Sequence, residues 1–404
     1  MTDGRNKRHK KTIKPRYKFF TNVARLLTFP IVKFVYRAKV EKFKDRRKRN
    51  YLILFNHQTP FDQFFIALAI KGAAFIVASE DVTSNGLLSK ALTYAFPIIP
   101  IKKQSNDVKA VINCVRAAKA GASIVLSPEG NRTYSGETSF IKPSIAALVR
   151  TLKLPVAFFL IEGGYGAEPR WSNVVRKGKV RCAVKSVLEY EDYKDLSDDE
   201  IYAVIKERLY RFDAADDQSF RSRKSAEKLE RLLYVCPECG FSEFSSNGRT
   251  VACKRCGKSA EYGDDLKFYG DFPFSTVRDW YAFQERFVSE ANLDAFKNTP
   301  AFTDTVRLSE VVPYKRKRRM LSGAELGLYC DRMEFSDEKR NIVYSFDDVT
   351  SATVLGRNKL NFYVGSEIFQ IKGKKTFNAV KYLHFYYVYK QKKAGKQDDF
   401  FFGI

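Results

Sequence analysis

The sequence predicts an α/β domain with a mostly parallel sheet and flanking helices, followed by a small cysteine-containing module and a small β-rich domain closed by a helix. Three observations support this fold class. Short apolar runs alternate with helical stretches over residues 51–213, which is typical of parallel sheets. Two C-x-x-C pairs then follow within residues 232–264. Several short strand-like runs occupy residues 301–404.

Composition limits what the chain can be. It has 404 residues, of which 45% are apolar, and this is enough to build a packed core. Its 71 Lys and Arg against 46 Asp and Glu give a net charge of +25. Such an excess favours polyanionic partners, namely nucleic acid, an anionic membrane surface or phosphorylated substrates. Seven cysteines, with four in C-x-x-C pairs, suit a reducing compartment and a metal site better than disulfides.

The positive charge is concentrated in an N-terminal basic arm, residues 1–50, with 18 Lys or Arg and three Asp or Glu. From Tyr17 onward, apolar residues alternate with cations, and Pro30 is expected to kink or break a helix. One interpretation is a helix packed on its own domain with a solvated outer face. The other is an amphipathic membrane-surface anchor, with cations for anionic headgroups and aromatics for the acyl boundary. The two interpretations are compatible.

The arm is not expected to span a bilayer. Arg25, Pro30 and Lys33 interrupt the apolar stretch 19–36. A signal-peptide core is not expected at the N-terminus either. The sequence therefore argues against an integral membrane protein and against an exported disulfide protein.

The elements of the α/β domain follow from its apolar runs. Strands are predicted at 51–55, 74–78, 123–126 and 156–160, and helices at 61–70, 87–94, 107–120, 139–152 and 196–212. The last helix begins with Ser197-Asp-Asp-Glu200, the pattern of a capping box. Ligands of such sheets bind where strands end and loops begin.

The C-terminal half divides into four predicted segments. They are a charged linker or solvated helix at 214–231, the cysteine module at 232–264, a helical connector at 265–300 and the β-rich domain at 301–404. Within the last segment, strands are predicted at 333–335, 342–346, 350–355, 359–364 and 367–371, and a helix at 376–388 precedes a tail.

A candidate catalytic pair follows the first predicted strand. His57 comes directly after this strand, and Asp62 lies five residues further on, across a turn that contains Pro60. A histidine whose ring is held by a carboxylate has a defined tautomer and a more basic second nitrogen. The pair therefore has the properties required of a general base.

Two further loops are expected at the same edge of the sheet. After the third strand come Glu129, Gly130 and Arg132, where the guanidinium suits a phosphate, the glycine permits close backbone approach, and the carboxylate can orient the arginine or hold a hydroxyl. The loop at 96–103 ends in two cations, Lys102 and Lys103. Together the three loops supply one base and several phosphate ligands.

In this order the motifs resemble those of the glycerolipid acyltransferase family. They are N-H-x4-D at residues 56–62, a Pro-rich loop ending in Lys103, P-E-G-x-R at 128–132, and Leu-Pro-Val-Ala at 154–157. The resemblance covers roughly residues 30–215, and the ordered combination is specific. The chain departs from the common pattern at Asn131, where Thr is commoner, at Lys103, where many members have Arg, and in Gly163-Gly-Tyr-Gly166.

The resemblance implies transfer of a fatty acyl group from acyl-CoA or acyl carrier protein to a glycerolipid hydroxyl, with no catalytic cofactor. It implies that His57 is the catalytic base and Asp62 its orienting carboxylate. Glu129 and Arg132 are implied to bind the acceptor, and Lys103 to contact its phosphate.

Four cysteines indicate a structural metal site. Cys236 and Cys239, and then Cys253 and Cys256, form two C-x-x-C knuckles, each followed by glycine. Four thiolates complete a tetrahedral shell with no open position, which is typical of structural zinc. The module resembles a zinc ribbon, a fold that binds nucleic acid in some proteins and serves as a docking module in others.

The sequence therefore predicts a membrane-surface acyltransferase that converts lysophosphatidic acid to phosphatidic acid. It is expected in the cytoplasm, peripheral on the inner face of the membrane, with anionic lipid as partner. The C-terminal domain resembles pleckstrin-homology or GRAM-like lipid modules. One alternative changes the acceptor to glycerol-3-phosphate or another lysolipid. The other alternative is a non-enzymatic zinc-ribbon protein that binds nucleic acid. This alternative leaves the ordered motifs unexplained, and the ribbon has few cations for a surface that binds a nucleic-acid backbone.

Overall fold

The computed structural model describes residues 13–44, 49–79, 82, 86–101, 107–312 and 315–395. The chain divides into two compact units. The first contains residues 1–169 and 177–218, and the second contains residues 170–176 and 219–404. Two separate segments of the chain therefore form the second unit. The sequence did not predict that the shorter segment, Arg170–Arg176, belongs to it.

Helices and strands alternate in the first unit. Three elements precede the alternation: α1 (Pro15–Pro30), a π-helical segment (Ile31–Val35) and β1 (Ala38–Val40). The alternating elements are β2 (Leu52–Phe55), α2 (Asp62–Ala69), β3 (Phe75–Ser79), α3 (Leu87–Ala95), β4 (Ile98–Ile101), α4 (Val108–Lys119), β5 (Ile124–Leu126), α5 (Ile145–Leu152), β6 (Val156–Glu162), α6 (Gly164–Ala167), β7 (Val180–Leu188), α7 (Tyr190–Tyr193) and α8 (Asp198–Leu209).

All seven strands of this unit form one sheet, in the order β1-β7-β6-β2-β5-β3-β4. Every neighbouring pair is parallel except β6 and β7. The prediction of an α/β domain with a mostly parallel sheet is confirmed. Parallel pairing of β2 with β5 brings the ends of these two strands to the same edge of the sheet.

Apolar side chains of the central strands build the core of this unit. Leu54 and Phe158 of the sheet are buried in one cluster with residues of α4, α5 and α8, among them Ile205. The capping box predicted for α8 is present, because the Ser197 hydroxyl accepts from the Glu200 amide and the Glu200 carboxylate accepts from Ser197. This cap fixes where the closing helix begins.

Three strands of the sheet differ from the predictions, and the first of them, β1, lies in the arm that was predicted as helical. The segment 96–103 was predicted as a loop, but Ile98–Ile101 is an edge strand. Pro100 is tolerated there because an edge strand leaves one side of its backbone unpaired. Strand β7 was not predicted, since its mixture of apolar and charged residues lacks the continuous apolar run of a buried parallel strand.

The second unit begins with a small antiparallel module. It contains a hairpin of β8 (Val235–Cys236) and β9 (Gly240–Phe241), followed by a four-stranded sheet of β10 (Phe244–Asn247), β11 (Thr250–Cys253), β12 (Ser259–Tyr262) and β13 (Phe268–Gly270). Helix α9 (Val277–Glu290) follows, with Thr276 as a capping-box residue.

A curled antiparallel sheet completes the second unit. Its seven strands are β14 (Phe302–Glu310), β15 (Arg318–Leu328), β16 (Arg332–Ser336), β17 (Asn341–Ser345), β18 (Val349–Leu355), β19 (Lys359–Val364) and β20 (Glu367–Gly373). They run in the order β17-β16-β15-β14-β20-β19-β18, and α10 (Ala379–Ala394) packs on β18 and β19. The predicted small β-rich domain closed by a helix is confirmed.

The charged segment 214–231 differs from the prediction of a linker or solvated helix. Only two short 3-10 turns form there, Asp213–Ala215 and Leu229–Arg231. Phe220, Ala226 and Leu229 are fully buried. These three apolar residues are spaced too irregularly to form a helical stripe. The many charged residues around them therefore led to the prediction of a solvated segment.

Within the described residues, no helix is both long enough and apolar enough to cross a membrane.

Candidate active site and candidate metal centre

His57 and Asp62 are held together at the end of β2. Asp62 is the first residue of α2 and is fully buried, and its Oδ2 lies 2.7 Å from the Nδ1 of His57. The imidazole keeps 26% of its side-chain surface exposed. The carboxylate therefore fixes the ring through Nδ1, and Nε2 is the nitrogen placed to exchange a proton with a substrate.

The turn between the two residues orients the carboxylate. Asp62 Oδ2 also accepts from the Gln58 amide at 2.7 Å, and Oδ1 accepts from the amide and the hydroxyl of Thr59 at 2.9 and 2.7 Å. Asn56 anchors the start of the turn, because its side chain exchanges two hydrogen bonds with the backbone of Ile161 in β6. The predicted dyad thus stands on a rigid turn.

Glu129 reaches the same turn from the end of β5. Its Oε1 accepts from the His57 amide at 2.7 Å, and its Oε2 accepts from the Ser139 amide at 2.7 Å. The side chain is buried, and burial raises its pKa to about 8 against the opposing effect of the two amide donors. We predicted that Glu129 orients Arg132 or binds substrate, but in the structure its two oxygens clamp backbone amides. Glu129 is therefore a positioning residue for the His57 loop.

A Glu129→Gln variant is expected to lower the free energy of unfolding by about 1–3 kcal/mol, because one backbone amide would face an NH₂ group instead of an acceptor. The pH dependence should also change. With a pKa raised from 4.5 to about 8, Glu129 holds a proton in the folded state that the unfolded chain releases, so stability falls as pH rises through this window. A glutamine side chain does not titrate, so the variant should lack this decrease of stability with rising pH. Chemical denaturation at pH 5 and pH 8 measures both effects.

The matched control is Glu162→Gln, since the Glu162 carboxylate pairs with the exposed Lys185. Equal stability losses in the two variants, with unchanged pH slopes, would show that Glu129 does not carry the clamp.

Gly130 and Arg132 complete this loop. Gly130 has φ +71°, a conformation that favours glycine. Arg132 is buried, and its charge acts on the hydroxyl of Tyr36, which directly follows the π-helical segment. Tyr36 also hydrogen-bonds to Glu168, and burial, followed by Glu168, raises the pKa of the tyrosine. The structure thus brings Arg132 into the neighbourhood of the His57–Asp62 turn through Tyr36, which the sequence did not predict.

Lys102 and Lys103, the other predicted phosphate ligands, lie outside the described residues. The strand that leads to them, β4, ends at Ile101.

A second clamp was missed from the sequence. Buried Asp213 accepts from the amides of Gly163, Tyr165 and Gly166. The Tyr165 amide also donates to the side-chain oxygen of Gln58 in the His57 turn at 2.9 Å. The sequence feature that could have indicated this close approach is the glycine-rich segment 163–166. Position 164 requires glycine, because a Cβ there would lie 2.7 Å from the Cβ of Gln58. Asp213 itself carried no signal, since its partners are backbone amides 47 to 50 residues away.

The thiols of this unit are not nucleophiles placed for catalysis. Cys114 and Cys182 are buried. Burial raises the pKa of Cys114 to about 11 and that of Cys182 well above its ordinary value. A neutral thiol is a poor nucleophile, so neither cysteine is set up to form a covalent intermediate.

In the second unit, the four predicted metal ligands converge. The sulfur atoms of Cys236, Cys239, Cys253 and Cys256 all lie within 4.8 Å of one another, and those of Cys236 and Cys256 are 3.8 Å apart. A tetrahedral site with Zn–S bonds of about 2.3 Å requires sulfur atoms roughly 3.8 Å apart. The residues present therefore fit a four-thiolate metal ion, with no position left for a substrate.

At Cys253, backbone amides favour the thiolate form, whereas burial raises the pKa of Cys236 to about 12. Burial acts to raise the pKa of Cys253, but hydrogen bonds from the amides of Cys256 and Arg255 lower it to about 7. Nearby cations are paired: Lys254 with Glu243 and Lys258 with Glu238. These pairs reduce the positive charge that the module presents.

The N-terminal part of the chain is similar to known acyltransferases. Residues 6–161 match the model of the acyltransferase family. No curated protein matches the chain. Among solved structures, the chain is similar to the 1-acyl-sn-glycerophosphate (LPA) acyltransferase PlsC from Thermotoga maritima, with 18% identity and a TM-score of 0.40, over 51% of this chain and 86% of that one. The family match and the ordered motifs within it support the resemblance of residues 6–161 to the glycerolipid acyltransferase family.

Proposed function

We propose that the protein transfers a fatty acyl group from acyl-CoA or acyl carrier protein to lysophosphatidic acid and so forms phosphatidic acid. The observation that carries the proposal is the His57–Asp62 pair, held at 2.7 Å on a turn that Glu129 clamps to the end of β5. The acyltransferase family match supports the reaction class.

The proposed reaction needs only this chain's own groups and its two substrates. Nε2 of His57 takes the proton of the acceptor hydroxyl as that oxygen attacks the thioester carbonyl. The new C–O ester bond forms, the C–S bond breaks, and the departing thiolate takes the proton back from His57. Asp62 stabilises the protonated ring through Nδ1. Binding both substrates in register supplies the remaining rate enhancement.

Arg132 is proposed to recognise the acceptor phosphate, together with Lys102 and Lys103. Its buried guanidinium lies on the same loop as the Glu129 clamp, so a phosphate bound there would place the acceptor hydroxyl near His57. Gly130, in the same loop, allows the backbone to approach the substrate closely.

The test is an acyl-transfer assay of the full chain with lysophosphatidic acid, glycerol-3-phosphate and an uncharged monoacylglycerol, each with acyl-CoA and with acyl carrier protein. An Arg132→Ala variant should raise the acceptor KM about 10-fold or more for phosphorylated acceptors, as expected for a lost charge-assisted bond of about 1.5–3 kcal/mol. The KM for the uncharged acceptor should change little. Equal effects on all three acceptors would remove the phosphate assignment.

The basic arm is proposed to hold the enzyme at the cytoplasmic face of a membrane. Cations near an anionic surface contribute about 1 kcal/mol each. The zinc ribbon is proposed as a structural module in which Cys236, Cys239, Cys253 and Cys256 hold zinc. The metal would crosslink the two knuckles and take no part in acyl transfer.

A further inference from the structure

Helix α1 turns its apolar residues outward. Phe19, Leu26 and Leu27 are 63%, 75% and 67% exposed, and Phe34 in the following π-helical segment is 69% exposed. Arg25 instead points inward, because its guanidinium donates to the carbonyls of Ala67, Ile70 and Gly72 at the C-terminal end of α2. This arrangement is the reverse of an ordinary surface helix, whose apolar side faces the core.

Helix α3 shows the same reversal. Leu87 and Leu88 are 81% and 60% exposed, and Tyr94 is 56% exposed, whereas Ser89 is fully buried. Single exposed apolar residues are ordinary on protein surfaces, but two neighbouring helices that each expose several large apolar residues are not.

Direct contacts join the two helices. The Arg16 Nε donates to the Tyr94 carbonyl at 2.9 Å, and the Arg16 guanidinium lies 3.9 Å from the centre of the Tyr94 ring. Phe20 contacts the rings of Tyr94 and Phe96. The two helices therefore pack against each other, and we name their exposed apolar residues, with Phe34, the α1–α3 surface (Phe19, Leu26, Leu27, Phe34, Leu87, Leu88 and Tyr94).

We propose that the α1–α3 surface contacts an anionic lipid bilayer, and that α3 is a second insertion element beside the basic arm. The inference rests on the proposed use of a lipid acceptor. Charge supports a bilayer as the occupant, because Lys18 and Lys33 of the arm and Lys90 of α3 are exposed among the apolar residues. A second copy of the chain would bring these like charges together.

The position of the α1–α3 surface also supports a bilayer as its partner. Helix α2 lies beneath α1 and begins with Asp62. At the C-terminal end of α2, Arg25 donates a hydrogen bond to the Ile70 carbonyl. Helix α1 would therefore lie between the bilayer and α2, whose Asp62 contacts His57, and this closeness suits an acceptor drawn from the membrane.

The experiment compares the full chain with two paired variants, Leu87→Ser with Leu88→Ser in α3, and Leu26→Ser with Leu27→Ser in α1. Val343→Ser is the control, since Val343 is also exposed but lies on β17 in the second unit. Co-sedimentation uses neutral phosphatidylcholine vesicles and vesicles containing phosphatidylserine, at low salt and at 1 M salt. Thermal unfolding checks that all variants fold.

Each pair should reduce vesicle partitioning about 10-fold or more, because inserting two leucines contributes well over the 1.4 kcal/mol that a tenfold change requires. The losses should persist in 1 M salt, where the Debye length is about 3 Å and charge attraction is screened. The control should bind as the parent does.

Parent-like binding by the α3 pair would overturn the proposal, even if the α1 pair failed to bind. So would sedimentation equilibrium showing a dimer that the α3 pair dissociates while vesicle binding is unchanged. Because binding is measured without acyl donor, a protein that binds vesicles but transfers no acyl group would contradict the proposed function and leave the surface intact.

Discussion

Replacing His57 by alanine should reduce acyl transfer by about 10²–10⁴-fold, the usual contribution of a general base. The fold should be retained, because the imidazole is partly exposed and the turn is held by backbone hydrogen bonds to Asp62 and Glu129. The loss should appear in kcat, since the proton is transferred in the chemical step and the ring is not proposed to bind the phosphate. Steady-state kinetics with saturating acyl donor measures it.

Asp62→Asn tests whether the two residues work as a unit. An amide cannot stabilise the protonated ring as a carboxylate does, so much of the same activity should be lost. The double variant should lose little beyond His57→Ala alone. Gln63→Ala is the matched control, since its exposed amide donates only locally, to the Pro60 carbonyl. Fully additive losses in the double variant would show that Asp62 does not act through His57.

The second large effect concerns metal. The protein should contain one zinc ion per chain, as four converging thiolates require. Cys236→Ser should abolish metal binding and unfold the ribbon, since zinc supplies about 10–16 kcal/mol of apparent binding free energy in small zinc modules. Elemental analysis and limited proteolysis of residues 232–264 measure the two outcomes. Acyl transfer should be affected later than the ribbon when a chelator removes the metal.

Cys330→Ser is the control for this experiment, because Cys330 is buried in the same unit but lies outside the four-sulfur group. Undenatured protein grown with zinc but free of metal would contradict the site. So would a Cys330→Ser variant that loses metal as completely as Cys236→Ser.

Much of the fold followed from local patterns. Strand β2 could be predicted because Leu52–Phe55 is a continuous apolar run, and all four residues are buried in the middle of a parallel sheet. Strand β4 could not, because Pro97 before it and Pro100 within it are typical of loops, and only the place of the strand at the sheet edge makes Pro100 acceptable.

The same contrast holds for the site. His57, Asp62 and the four cysteines were predictable because each pair acts across a few residues, where spacing in sequence determines distance in space. Glu129 was found, but its role was not, because its partners are the amides of His57 and Ser139 and any residue has an amide.

By itself, the sequence determined the alternation of strands and helices, the pairing of His57 with Asp62, the group of four cysteines and the charge of the arm. These depend on local spacing and on side-chain chemistry. Only the tertiary structure decided the Asp213 clamp on Gly163 and Tyr165, and the outward turn of α1. The physical reason is that a helix with apolar and polar stripes can bury either stripe. Which one faces inward depends on the partners it meets, here the α2 carbonyls that bind Arg25.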